Sequence, residues 1–220
     1  MPERKPDLLS YLQGYLTPSR LQRFEEILDW RTRHITVVLE DVFQLHNASA
    51  VVRSCDVFGI QDVHLIEDRF GRRLDKNIAL GAQKWVSIHR QVSAAACMES
   101  LRAKGYKIVA TTPHVSAIAP QELPLDVPIA LFFGTEKEGL SDVVLNQADC
   151  KLKIPMYGFT ESLNVSVAAA IVLNTLRSRL NASDIPWQIP EKQRDEIRLD
   201  WTKKTIKSVE DIISRYQESP

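Results

Sequence analysis

Between residues 35 and 180, short and almost continuously apolar runs alternate with stretches of helical periodicity, and this alternation is the tightest constraint on how the chain folds. Residues 35–39 (Ile-Thr-Val-Val-Leu) form a β-branched run, followed by helical character over 47–58 that stops at Gly59. Residues 62–66 read as a strand, 94–104 as a helix stopping at Gly105, and 107–111 as the next strand. A strand over 128–133, a short helix over 142–147, a strand over 151–154 and a long helix over 164–180 complete the series. Strands apolar along their whole length are covered on both faces, and the helices between them join them in parallel. The fold class is therefore α/β, a mainly parallel sheet with helices on both faces. Its ligands are expected beyond the carboxyl ends of the strands.

Helical extensions flank this domain. Residues 8–33 read as two short helices broken at Thr17-Pro18, where Thr17 suits an N-cap and Pro18 the first helical position. Leu21, Phe24, Ile27 and Leu28 recur at helical spacing, with Arg20, Arg23, Arg31 and Arg33 among the polar positions. After an irregular link through Ile185-Pro186-Trp187 and Ile189-Pro190, residues 191–216 resume helical periodicity as one helix. The expected division is 1–34, 35–180 and 181–220.

Composition excludes more than it reveals. The chain has 220 residues, 44% hydrophobic and 25% charged, an ordinary globular balance. No apolar stretch approaches a membrane span, and Met1-Pro2-Glu3-Arg4-Lys5 leads into polar residues rather than a signal-peptide core. A cytoplasmic location and no membrane partner are expected. Cys55, Cys97 and Cys150 are sparse and far apart, which argues against a disulfide framework or a cysteine zinc site, and Cys55 and Cys97 read as buried small residues. His34, His46, His64, His89 and His114 lack ligand spacing, so no metal is expected. Charge is balanced, with 28 basic and 28 acidic residues, so any nucleic-acid contact has to come from local basic faces.

Three motifs carry chemistry. Asn47-Ala48-Ser49-Ala50-Val51-Val52-Arg53 follows the first strand; Asn47 suits a helix N-cap, and Arg53 lies among apolar residues. If buried, that arginine needs an anionic partner: a carboxylate such as Asp56 or Glu136, or a phosphate. The second motif, Leu131-Phe132-Phe133-Gly134-Thr135-Glu136-Lys137-Glu138-Gly139-Leu140-Ser141, delivers an apolar strand into a loop with two glycines and an acid. Gly134 permits close backbone approach to a ligand, and Gly139 can adopt positive φ. The order of a phosphate loop is missing. In the third, Ile154-Pro155-Met156 ends a strand, and a small-residue helix starts near Ser162-Leu163-Asn164. Each also has a plain structural reading as turn, cap or close packing.

Taken together and in this order, the motifs resemble those of the SPOUT superfamily of RNA methyltransferases, most closely its TrmH branch of tRNA guanosine 2′-O-methyltransferases. The likeness covers roughly 35–180, and Ser162-Leu163-Asn164-Val165-Ser166-Val167-Ala168 is its most diagnostic string. Gly81-Ala82-Gln83-Lys84-Trp85 also looks like the family. The resemblance implies a C-terminal deep trefoil knot, a homodimer, S-adenosylmethionine as cofactor, and methylation of a ribose in tRNA, at guanosine 18 of the D-loop. It implies cofactor contacts at Thr111, Gly134, Ile154, Met156 and Leu163. Arg53 resembles the family's catalytic arginine, with Asn47, Glu136, Ser162 and Asn164 orienting it and an ion pair between Glu136 and Arg53. Arg177 and Arg179 match a basic R-x-R and, with Arg20 and Arg23, are expected to meet RNA phosphates. DNA is not an expected partner.

A guanidinium, with its pKa above about 12, has no acceptor while protonated, so Arg53 is expected to remain cationic and stabilise a forming ribose oxyanion. A unit charge ~4 Å away at an effective dielectric of ~20 contributes about 4 kcal/mol before screening. The rival readings are the same chemistry on ribosomal RNA, a non-catalytic RNA-binding paralogue, and a small-molecule enzyme that binds a nucleotide.

Overall fold

The computed structural model describes residues 6–42, 44–67, 81–113 and 117–218. Residues 1–5 and His114, on which parts of the sequence reading rest, lie outside the described residues. The chain divides into two compact units, Met1–Arg31 with Gln188–Pro220, and Thr32–Trp187.

The first unit holds α1 (Leu8–Gln13) and α2 (Pro18–Leu28) from the N-terminal side. Thr17 caps α2 by accepting the Arg20 N–H, with Pro18 in the first turn, as its residue types dictate. Phe24 and Leu28 are buried, and the Phe24 ring meets Trp201 edge-on at 5.4 Å. Arg31 is not at a polar surface position as its spacing suggested. It is buried with its guanidinium 5.4 Å from the Trp201 ring centroid, because that aromatic face offers a cation a favourable site.

The second unit is built on a six-stranded sheet. Its elements run β1 (Ile35–Glu40), α3 (Leu45–Val57), β2 (Asp62–Ile66), β3 (Ser87–Gln91), α4 (Ala94–Ala103) and β4 (Lys107–Thr111). They continue with β5 (Ile129–Phe133), α5 (Asp142–Gln147), β6 (Cys150–Leu152) and α6 (Val165–Asn181). The strand order is β3-β2-β1-β5-β4-β6, and every pairing is parallel. Period-two alternation distributes β1 and β5 between two cores. Val37, Leu39, Leu131 and Phe133 pack with Val51, Cys55, Val172 and Leu176 of α3 and α6. Val38, Ala130 and Phe132 pack with Cys97, Met98, Leu101 and Val144 of α4 and α5. The α/β reading with helices on both faces is borne out.

Four details depart from the sequence reading. β3 was absent from it, because Ser-Ile-His-Arg-Gln has no apolar run; this edge strand is largely exposed. The helix after β1 starts at Leu45 with Gln44 as N-cap, so Asn47 lies within the first turn and is not the cap. The C-terminal helix is two, α7 (Glu191–Thr205) and α8 (Val209–Glu218), since Ile206 is extended and Ser208 adopts φ 51°. β6 is shorter than expected, because Ile154-Pro155 already turns into a loop. Cys55 and Cys97 are buried thiols as read, and desolvation pushes Cys97 up to about 12. Among the described residues no helix is long and apolar enough to cross a membrane.

Candidate active site

The strand order reverses between β1 and β5, and the loops leaving β4, β5 and β6 gather beside that switch point. β5 ends in Gly134, where a Cβ would lie 2.2 Å from both the carbonyl carbon and oxygen of Gly139 and 2.4 Å from the Leu140 nitrogen. The glycine is needed for the loop to fold onto itself, rather than for approach to a ligand. Thr135 N–H donates to the Gly139 carbonyl at 3.0 Å, and Gly139 N–H returns the bond to Thr135 at 3.1 Å. Gly139 completes the turn at φ 69°.

Beyond the turn, Ser141 caps α5 by accepting the Val144 N–H, and its own N–H and hydroxyl donate to the Glu40 carboxylate. On β4, the Thr111 hydroxyl donates to the Phe132 carbonyl at 2.7 Å, which fixes this strand end to its neighbour. After β6 the chain passes Ile154 and Met156 to Ser162, Leu163 and Asn164, the residue that caps α6.

These loops enclose a cleft of about 310 Å³, within the range of small-molecule sites. All five residues expected to hold a cofactor line it, namely Thr111, Gly134, Ile154, Met156 and Leu163. Glu136 and Ser162 line it too, as do Lys137 and Glu161, which sequence reasoning passed over.

At its rim lies a hydrogen-bonded network. Asn47 Nδ2 donates to Gln44 Oε1 at 2.8 Å and to Glu136 Oε1 at 3.1 Å. Asn164 Nδ2 donates to Asn47 Oδ1 at 3.0 Å and to the same Glu136 Oε1 at 2.5 Å. Asn164 Oδ1 in turn accepts the Ser166 N–H at 2.9 Å and the Ser166 hydroxyl at 2.5 Å. Asn47, Glu136 and Asn164, 89 and 28 positions apart in turn, are thus brought together as expected. Gln44 was missed; its only signal was its place one helical turn before Asn47.

Arg53 does not join them. It is exposed and forms no ion pair with Glu136 among the described residues. Six positions after Asn47 on α3, it lies about 240° around the helix, away from the face that meets Asn164. Glu136 is itself exposed at the cleft mouth. The basic R-x-R is packed into the domain. Arg177 is buried, donating from Nε to the Phe58 carbonyl at 3.2 Å with its guanidinium 3.7 Å from the Trp187 ring centroid. Desolvation lowers it to about 10. Arg179 is half-buried and donates to the Pro120 carbonyl at 2.7 Å. Neither is presented as a free surface cation; Arg20 and Arg23 on α2 are exposed, Arg23 pairing with Glu26 at 3.1 Å.

Sheet, switch point and cleft define an α/β domain that takes up a small ligand through main-chain loops beyond its strand ends. Residues 34–174 match the SpoU rRNA Methylase family, and the chain belongs to that family, as the three motifs implied. It is 38% identical over 204 residues to the tRNA (guanosine(18)-2′-O)-methyltransferase of Borreliella burgdorferi, spanning 93% of this chain and 94% of that one. It is 36% identical over 191 residues to the enzyme of the same name from Thermus thermophilus, covering 86% and 98% respectively. A solved structure of the A. aeolicus TrmH/SpoU tRNA modifying enzyme superposes with a TM-score of 0.76 at 29% identity, covering 86% of this chain and 98% of that one.

Proposed function

We propose that this chain transfers the methyl group of S-adenosylmethionine to the ribose 2′-hydroxyl of guanosine 18 in tRNA. The carrying observation is that the loops of the second and third motifs enclose one cleft, in a chain alike over 93% of its length to an enzyme named for that reaction. The cleft fits the cofactor in character. Phe133, Leu152, Leu163 and Val172 offer apolar walls for a flat base, and the loops at Gly134 and Ile154 supply backbone polar groups. When bound, S-adenosylmethionine supplies an electrophilic methyl group on a positively charged sulfur. Glu136, Asn47 and Asn164 hold the rim on which the ribose is to be seated, with Ser162 beside them.

The third-motif loop belongs, in this reading, to a trefoil knot, and the chain works as a homodimer in the cytoplasm. Val167 and Ile171, one turn apart on α6, are exposed apolar residues, as is Val57 on α3, which packs on α6. A second copy covering that face would shield them from water. It would also carry the exposed Arg53 of one copy to the cleft of the other, where its positive charge stabilises the developing oxyanion. Arg20 and Arg23 contact tRNA phosphates, within a helical N-terminal extension that serves RNA capture alongside the C-terminal one.

The test is methylation of tRNA transcripts with labelled cofactor, mapped to the nucleotide. Label at guanosine 18, lost when that position is changed, is the expected result. Label only in ribosomal RNA would favour the second reading, to which the family's name points.

A further inference from the structure

We infer that Glu136 is the group that receives the proton of the attacking hydroxyl, through its Oε2 atom. The inference rests on the methyl-transfer reading above and goes beyond it, since that reading leaves the proton without a destination. Arg53, a protonated guanidinium, has no lone pair to accept it.

The rim network holds Glu136 in place and leaves one of its oxygens open. A carboxylate accepts hydrogen bonds, so both asparagine amides must turn their NH2 groups toward Glu136. Both Asn47 hydrogens are then spent, on Gln44 and Glu136, and both Asn164 hydrogens on Asn47 and Glu136. The Asn164 oxygen is filled by two donors from Ser166, and the Asn47 oxygen holds Asn164. Both bonds that reach the Glu136 carboxylate end on Oε1. Oε2 takes no bond from any described residue, and the residue lines the cleft mouth. Two amide donors aimed at one oxygen fix the side chain while leaving the other oxygen ready to accept.

The step balances. The ribose O–H bond breaks and its proton passes to Glu136 Oε2. The oxygen forms its new bond to the methyl carbon while the sulfur–methyl bond breaks, its electron pair staying on sulfur as a neutral thioether. The proton leaves to solvent from the exposed carboxyl group after product departs.

Glu136→Gln tests this without dismantling the rim, because the amide oxygen can still accept from Asn47 and Asn164 while the other atom becomes a donor. A thermal melt close to wild type and a cofactor affinity within about threefold of it are expected. Single-turnover methyl transfer should fall by roughly 10²- to 10⁴-fold, the usual contribution of a positioned base. The residual rate should climb tenfold per pH unit, as hydroxide takes over. The binding readout is the affinity for tRNA carrying ribose or 2′-deoxyribose at the target nucleotide. Wild type should favour ribose by about tenfold or more, the size of a hydrogen bond to a charged group, and the variant should lose that preference. Glu136→Asp, which keeps a carboxylate, should retain the wild-type pH profile at a reduced rate. A glutamine variant with near-normal rate, or one that slows but keeps both the wild-type pH profile and the ribose preference, overturns the assignment. Wild-type protein that binds cofactor but methylates no RNA overturns instead the reading on which it rests.

Discussion

Glu40, the last residue of β1, and Ser141, the cap of α5, are joined by two hydrogen bonds across 101 positions of sequence, at 2.8 Å from the serine N–H and 2.6 Å from its hydroxyl. Glu40 is buried, so this carboxylate fastens the far end of the Gly134–Leu140 turn to the sheet. Hydrogen bonds to a charged acceptor contribute ~1.5–3 kcal/mol each, and a buried donor left without a partner adds a further penalty. Glu40→Ala is expected to lower the melting temperature and weaken cofactor affinity by at least tenfold. Glu40→Gln, which still offers an acceptor, should recover much of both. Calorimetric binding alongside thermal melts reads the two effects separately.

The two glycines of that turn are expected to respond unequally. A methyl group at Gly134 would enter the backbone of Gly139 and Leu140, atoms that cannot rotate away. Gly134→Ala should therefore open the turn, abolish cofactor uptake and destabilise the domain. At Gly139 a Cβ meets nothing within 4 Å, and only its φ of 69° resists substitution, at a cost of roughly 1–2 kcal/mol. Gly139→Ala should bind cofactor with modest loss. Equal damage from both would show that space at Gly134 is not the controlling quantity.

The sequence carried the sheet and the cleft, but not the direction of the side chains at its rim. Apolar runs such as Ile129–Phe133 announce themselves because burial on both faces demands them, whereas Ser87–Gln91 escapes because an edge strand makes no such demand. The family resemblance named Thr111, Gly134, Ile154, Met156 and Leu163, and all five line one cleft. Arg53 and Arg177 were harder. Helical spacing tells which residues share a face, but not which face a neighbouring strand end will meet. The position of Arg177 depends on Trp187, ten residues later and beyond a proline link, where periodicity carries no information.

His64 should make the stability of the domain fall in mild acid. The ring lies on β2 with Gln91 Nε2 donating to its Nδ1 at 2.9 Å, and burial, then the charge of His89, lowers it from 6.5 to about 4. The folded state thus refuses a proton that the unfolded chain accepts. Stability is fully present above pH ~6.5 and falls as pH drops from there toward 4, by about 3 kcal/mol. Asp62 acts in the same direction at lower pH. Although burial opposes its ionised form, the hydrogen bond from His89 and the charge of Arg33 prevail and lower its pKa, so its stabilisation is lost as the carboxylate protonates. Melting temperatures of wild type and His64→Gln between pH 7.5 and 4.5 check the assignment. The variant curve should be flatter above pH 5, and two parallel curves would remove His64 as the cause.

Arg177 and Arg20 separate structure from RNA contact. Arg177 is buried against Trp187 and bonded to the Phe58 carbonyl, so truncation removes a desolvated cation–π contact worth ~2 kcal/mol and leaves a cavity beside α6. Arg177→Ala should lower the melting temperature markedly, while the fraction that remains folded binds tRNA with a normal salt dependence. Arg20 is exposed on α2. Arg20→Ala should leave the melt unchanged, weaken tRNA binding, and reduce the slope of log affinity against log salt by about one, because one phosphate contact releases roughly one counterion. If instead Arg177→Ala changed the salt slope without touching stability, its guanidinium would have to reach the RNA in solution. The packing against Trp187 would then have to open when tRNA binds.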